Sequence, residues 1–193
     1  MIVEQSQDDG DIKKAASLWA DELPLDPFAV LGAPFIFEML KKCLENIHFK
    51  LYCAKENNDL CGFLLVREGS TSLLSIALGK LPFRFLGSLL CLVCTRPFQL
   101  VGLFEAFLFS VSFRQVESDL PDVELAYICV RNNKHGKGVG TKLISHGFKS
   151  HSHYWVKTLA KTTKNVSFYE RNSFEEAFRH KGRVILLCKA TTI

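Results

Sequence analysis

Apolar positions along the chain fall into two periods, one near three and a half residues and one near two. In "DIKKAASLWADE", residues 11–22, Ile12, Ala15, Ala16 and Trp19 recur at the spacing of one helical face, and Pro24 and Pro27 end the run. A second helix is predicted from Pro34 to about Asn46, with proline in its first turn and Phe37, Leu40 and Leu44 turned inward. "FKLYCAKEN" and "LCGFLLVRE" are apolar, β-rich and separated by "NND", which predicts a hairpin. Residues 123–130, "VELAYICV", are apolar on both faces except at Glu124 and Tyr127, as in a strand inside a sheet. From Lys137 the period is helical again: Val139, Leu143, Ile144, Gly147 and Phe148 share a face from which Lys142, Ser145 and Lys149 are absent. "YWVKTLA" predicts a strand, "KNVSFYERN" a short helix and "VILLCKA" a last strand.

One stretch fits neither period cleanly. From Ser70 to Phe113 the only charges are Lys80, Arg84, Arg96 and Glu105. A membrane-spanning helix needs about 20 apolar residues in succession. Arg84 and Arg96 enclose only eleven, and Pro97 and Glu105 interrupt the next run. The pattern predicts two or three helices lying on a surface, which leaves open the domain's own sheet, a second copy in a homodimer, a membrane surface, or a lipid-like substrate.

The chain of 193 residues suits one domain, residues 1–193, carrying this apolar helical insertion at about 70–116. Its net charge of +4 is too small and too dispersed for a nucleic-acid footprint, so no nucleic-acid partner is expected. The polar, acidic start "MIVEQSQDDGDIKK" lacks the cationic and then apolar layout of a signal peptide, and a cytoplasmic location is expected, peripheral to a membrane if the insertion meets lipid. Seven scattered cysteines, mostly among apolar residues, predict buried reduced thiols. Cys91 and Cys94 form a lone CxxC with no second ligand pair at zinc spacing, and are assigned to core packing; His151 and His153 are assigned to a loop. No metal is expected.

"RNNKHGKGVGTKL", residues 131–143, joins the central strand to a helix. The first amides of a helix have no partner in the chain and sit at the positive end of its dipole, so this turn can hold an anion, and Gly136, Gly138 and Gly140 would let a ligand reach the backbone. The stretch lacks the GxxxxGK[ST] of a Walker loop and does not complete GxGxxG.

The turn resembles the acetyl-CoA signature of the GNAT superfamily of N-acetyltransferases, Arg or Gln, two residues, Gly, one residue, then Gly or Ala, here read from His135 through Gly140 with histidine in first place. "FYERNSF", residues 168–174, resembles the FYEKLGF segment of the same superfamily, with Ser173 where glycine is usual. Many members carry asparagine seven residues before the tyrosine; this chain has Thr162 there and Asn165 one turn closer. The insertion, with "FAVLGAPFIFEML" upstream, loosely resembles members of surface-polysaccharide clusters.

The resemblance implies an α/β (α+β) GNAT fold, a central mixed, mostly antiparallel, twisted sheet flanked by helices, with acetyl-CoA as co-substrate. It implies that Ile128, Cys129 and Val130 orient the acetyl and pantetheine arm, that His135, Gly136, Lys137, Gly138, Val139, Gly140 and Thr141 hold the pyrophosphate, and that Asn165 assists. Tyr169 falls on the residue that protonates the departing thiolate. Glu124 is the best-placed carboxylate for a general base, expected among Val and Leu on the face of Ala126 and Ile128. Cys129 has no base beside it in any readable motif and is not expected to carry the acyl group. The acceptor implied is a small-molecule amine, with an amino sugar as the specific expectation. A contrasting expectation is a GNAT fold that binds acetyl-CoA without chemistry and docks a partner or membrane through the insertion.

Overall fold

A computed structural model describes residues 1–24, 26–80, 82–95 and 98–189, except for the side chains of Lys80, Arg84, Cys91, Thr95, Gln99, Phe107, Arg114, Gln115 and Lys189. Seven strands form one sheet: β1 (Ile2–Gln5), β2 (Phe49–Glu56), β3 (Asp59–Glu68), β4 (Val123–Val130), β5 (His153–Leu159), β6 (Phe174–His180) and β7 (Arg183–Lys189). Their order is β1-β2-β3-β4-β5-β7-β6, and every pair is antiparallel except β4 with β5. The helices are α1 (Asp9–Glu22), α2 (Ala33–Leu44), α3 (Leu73–Lys80), α4 (Pro82–Thr95), α5 (Gln99–Glu117), α6 (Val139–Gly147) and α7 (Thr163–Glu170).

Local chemistry accounts for the element ends. Asp8 caps α1 by accepting from the Asp11 amide at 3.1 Å, and Asp9 and Asp11 place negative charge on its first turn. Asn57 and Asn58 both have positive φ, 51° and 65°, the geometry of the tight turn whose twist matches the β2–β3 hairpin. Helices α1 and α2 cover one face of the sheet, where Trp19, Met39, Leu51, Phe63 and Cys129 share a core. Helix α6 covers the other face with Leu143 and Ile144 against Leu64 and Val66. Burying one such leucine contributes roughly 1.5–3 kcal/mol. A β-carbon at Gly147 would lie 2.4 Å from the Leu64 side chain, so a glycine there sets how closely α6 approaches β3.

The insertion is α3, α4 and α5, between β3 and β4. Leu73, Ile76, Ala77 and Leu92 join the α1–α2 core, and Phe109 and Phe113 of α5 pack on Trp155 and Ile185 of β5 and β7. Part of it therefore lies on the domain's own sheet, and no described helix is long and apolar enough to cross a membrane.

Several expectations need correction. β1 and β6 were not expected; both are mostly exposed edge strands, so they show no apolar alternation. The buried face of α2 is Phe35, Ile36, Met39, Leu40 and Cys43, leaving Phe37 and Leu44 only half-buried, because the helix meets two surfaces, α1 and the insertion. Cys94 is exposed on α4, since that helix packs by its other side through Leu92; the Cys91 side chain, Arg96 and Pro97 lie outside what is described.

Candidate active site

The central parallel pair is brief. Glu124 pairs with Trp155 and Leu125 with Val156, and there the β4–β5 ladder ends. On its other side β4 pairs Val66 with Leu125 and Leu65 with Tyr127, leaving Ala126 as an extra residue. A bulge bends a strand and ends its pairing, and this one sits where β5 parts from β4. The β5-facing edge of residues 126–130 therefore lines a gap. The bulge also shifts the alternation. Ile128 and Val130 pack with Leu125 on the α6 side, and Cys129 faces the α1–α2 core. Glu124 thus does not share a face with Ile128, contrary to expectation.

The glycine turn lies at the open end of the gap. Gly136 and Gly138 have φ of 74° and 75°, and a β-carbon on either would meet nothing within 4 Å. Lys142 N donates to Gly138 O at 3.0 Å, the first bond of α6. The amides of Val139, Gly140 and Thr141 are left without a backbone acceptor, no side chain caps them, and the first turn holds no acid. Three free donors at the positive end of a dipole are arranged as a helix N-terminus needs to be to accept an anion. Gly140 has a different duty: its β-carbon would lie 2.9 Å from the Phe168 ring, so it admits α7 rather than a ligand. His135 turns its Nε2 to the Val130 carbonyl at 2.7 Å, fastening the turn to the end of β4. Lys134 ion-pairs with Glu56, while Lys137 is exposed.

Phe168 and Tyr169 belong to α7. Tyr169 is buried, edge-on to Phe168 at 5.2 Å and to Phe174 at 5.4 Å. Burial pushes its phenol pKa above the ordinary 10, and its hydroxyl has no hydrogen-bond partner among the described residues. A phenol kept neutral is a proton donor in waiting. Asn165 is exposed on the first turn of α7. Ser173 has φ of 65°, the left-handed region that explains why glycine suits this position.

Glu124 is buried, but among charges rather than Val and Leu. Lys157 donates to Oε1, and Arg67 Nε lies 2.7 Å from Oε2. The Arg67 Nε–H is not aligned with that oxygen, so this contact is ionic rather than a hydrogen bond. Arg67 also donates to Glu117 of α5 through Nη2. Sequence reading missed Arg67 and Lys157 because each is a single charge within an apolar strand, and their pairing spans distant segments. It also missed Asp26, in the α1–α2 loop, which accepts from Trp19 Nε1 at 3.0 Å, from the Tyr127 hydroxyl at 2.9 Å and from the Phe28 amide at 2.9 Å. Burial holds the Asp26 carboxyl above the usual range despite these bonds. They tie the loop to β4 one residue past the bulge. Cys129 is buried, its thiol pushed up to about 12 by desolvation, so it is a packing residue and not a nucleophile.

Two clefts adjoin this charge cluster. One, of about 540 Å³, is lined by Arg67, Ser70, Thr71, Ser72, Glu117 and Asp122 among others; the second, of about 280 Å³, has Lys157, Phe109, Phe113 and Leu78 in its walls.

Solved structures share this arrangement of strands and helices over almost their whole length. A protein from Desulfovibrio desulfuricans described as an acetyltransferase of the GNAT family matches with a TM-score of 0.60 at 12% identity, covering 98% of this chain and 99% of that one. The chain has the GNAT fold. The PaiA N-acetyltransferase of Thermoplasma acidophilum, solved in complex with coenzyme A, matches with a TM-score of 0.57 at 11% identity over 98% and 99% of the two chains. Tetrahymena GCN5 matches with a TM-score of 0.55 at 11% identity over 100% and 98%. No family model and no curated protein matches the sequence. In this GNAT fold the gap between β4 and β5, the α6 turn and Tyr169 lie on consecutive elements around one sheet opening.

Proposed function

We propose that this protein transfers the acetyl group of acetyl-CoA to a primary amine of a small molecule. The observation that carries the reading is the set of free amides at Val139, Gly140 and Thr141 at the mouth of the β4–β5 gap, with a neutral, buried phenol at Tyr169 on the next helix. The turn would hold the pyrophosphate, and the unpaired edge of Ile128, Cys129 and Val130 would align the acyl arm. An amide of that edge would polarise the thioester carbonyl. The amine nitrogen forms the new C–N bond as the C–S bond breaks, and Tyr169 gives its proton to the leaving sulfur. The ammonium proton passes to Glu124, directly or through water, and to accept it Glu124 must release Lys157.

The acceptor site is read from the clefts under the insertion. The larger offers hydroxyls of Ser70, Thr71, Ser72 and Ser75 beside the carboxylate of Asp122, while Glu117 in the same wall is held by Arg67. Hydroxyls with a carboxylate suit a cationic, polyhydroxylated acceptor, which favours an amino sugar, in keeping with a role in surface-glycan assembly from the cytoplasmic side. The test is release of free thiol from acetyl-CoA across a panel of amino sugars, polyamines and amino acids. Turnover with an amino sugar, lost in Tyr169→Phe while acetyl-CoA still raises the melting temperature, is the expected result; no thermal shift with acetyl-CoA at millimolar concentration removes the reading.

A further inference from the structure

On the acetyl-transfer reading, on which this rests, we propose that Asp26 is a positioning residue: through Tyr127 it fixes where the gap-lining edge of β4 presents its amides. Past Leu125, β4 has lost β5 as a neighbour and keeps only β3 beside it. Its place at the gap is then held from the face of the sheet. Arg131 N donates to Cys61 O at 2.9 Å, and such bonds alternate along an antiparallel pair. Tyr127 and Cys129 therefore turn their amides to β3, and Ile128 and Val130 turn theirs to the gap.

The side chains that alternate with those amides are tied down. The Tyr127 hydroxyl donates to Asp26 Oδ2 at 2.9 Å, the Cys129 thiol reaches the Leu18 carbonyl at 3.7 Å, and just beyond the strand Asn132 N donates to Glu22 Oε1 at 2.9 Å. Leu18 and Glu22 belong to the last turns of α1 and Asp26 to the loop after it, so this one stretch runs along the one-sided part of β4. Its contact at Asp26 is the most constrained. Trp19, whose ring centre lies 3.9 Å from that of Tyr127, donates Nε1 to Asp26 Oδ1 at 3.0 Å, and the amides of Phe28 and Ala29 reach the same oxygen at 2.9 and 3.3 Å. Three donors thus fix the carboxylate, and the carboxylate fixes Tyr127. Apolar packing alone would let a strand with one free edge slide, whereas a satisfied buried polar network specifies one position. Tyr127 directly follows the Ala126 bulge and precedes Ile128, so a shift at Tyr127 passes straight to the Ile128 amide. In the proposed reaction that amide lies beside the thioester carbonyl, where a displacement of about 1 Å can cost about a hundredfold in rate.

Two conservative substitutions test this. Tyr127→Phe keeps the ring against Trp19 and removes the bond, and Asp26→Asn keeps the shape and removes the charge. At a temperature where both variants are fully folded, kcat for thiol release from acetyl-CoA with the fastest amine of the panel should fall roughly ten- to a hundredfold. KM for acetyl-CoA and the calorimetric affinity for coenzyme A should stay within about twofold, because the glycine turn is untouched. The double variant should be no slower than the slower single one, as for two changes to one bond. Hydrogen exchange should quicken over residues 126–130 and stay unchanged in α6. Unchanged kcat in both variants, losses that multiply in the double variant, or exchange quickened throughout the sheet overturns the proposal and leaves Asp26 to the core alone, with acetyl transfer intact. An unaltered protein that releases no thiol with any amine removes the acetyl-transfer reading itself, and this proposal with it.

Discussion

Gly140 on α6 and Phe168 on α7 stand so close that a β-carbon on the glycine would lie 2.9 Å from the ring. The helix that presents the free amides is thereby locked against the helix that carries Tyr169. Gly140→Ala must push the ring away, at a cost of about 1–3 kcal/mol typical of overpacking. Chemical denaturation should show that loss, and Phe168→Leu in the same chain should recover part of it. Independent costs that simply add would break the proposed link.

Gly136 and Gly138 should behave differently. A side chain there meets no neighbour, so only the positive φ resists it. Alanine at Gly138 should cost roughly 1–2 kcal/mol of stability, yet it would also place a methyl where the anion approaches. Calorimetric titration with coenzyme A should find affinity reduced by more than the stability loss explains.

Ser173 holds a left-handed backbone at φ 65°. Ser173→Gly should relieve strain and raise stability by up to about 1 kcal/mol, or roughly 2–4 °C in melting temperature for a chain of this size. An unchanged or lower Tm would mean that the serine side chain compensates for its own backbone.

These glycines show what was legible in the sequence. The β4–turn–α6 unit stands out because an apolar strand, three glycines and a helical period follow one another, all local signals. The bulge at Ala126 leaves no such mark: "VELAYICV" is apolar on both faces, so a shift in its alternation does not show, and the extra residue appears only through pairing with β3. That single offset moved Glu124 off the face of Ile128. Arg67 and Lys157 were hidden for a related reason, since the carboxylate that gathers them belongs to a different strand. Edge strands β1 and β6 are polar because water covers them, so periodicity could not find them.

The Glu124 cluster yields the next test. Arg67 is buried and touches both Glu124 and Glu117, while Lys157 is the more exposed partner. Removing the central cation leaves two acids facing each other, so Arg67→Ala should cost about 3–5 kcal/mol, as breaking a buried pair does. Lys157→Met should cost less and free Glu124 Oε1. In the proposed reaction it therefore alters the pH profile of kcat more than stability, whereas a purely structural Lys157 would move the melting temperature and leave that profile in place.

Asp11 connects pH to the join between α1 and the edge of the sheet. It accepts from Ser6 Oγ at 2.5 Å and from Lys55 Nζ at 2.6 Å, and Lys55 also reaches Glu4 of β1 at 2.8 Å. Burial alone would raise the Asp11 carboxyl, but the bonds from Lys55 and Ser6 outweigh it and hold the group below its ordinary 3.8. A carboxyl depressed in the folded state binds fewer protons there than in the unfolded chain. Its stabilisation is therefore complete above the unfolded value and is lost as pH falls through the folded one. Asp11→Asn should cost about 1–3 kcal/mol at neutral pH, and the difference from the unaltered protein should shrink as the pH falls below the ordinary value of 3.8. Denaturation midpoints measured across that window check the sign: a gap that widens on acidification would mean the Asp11 carboxyl lies above, not below, its unfolded value.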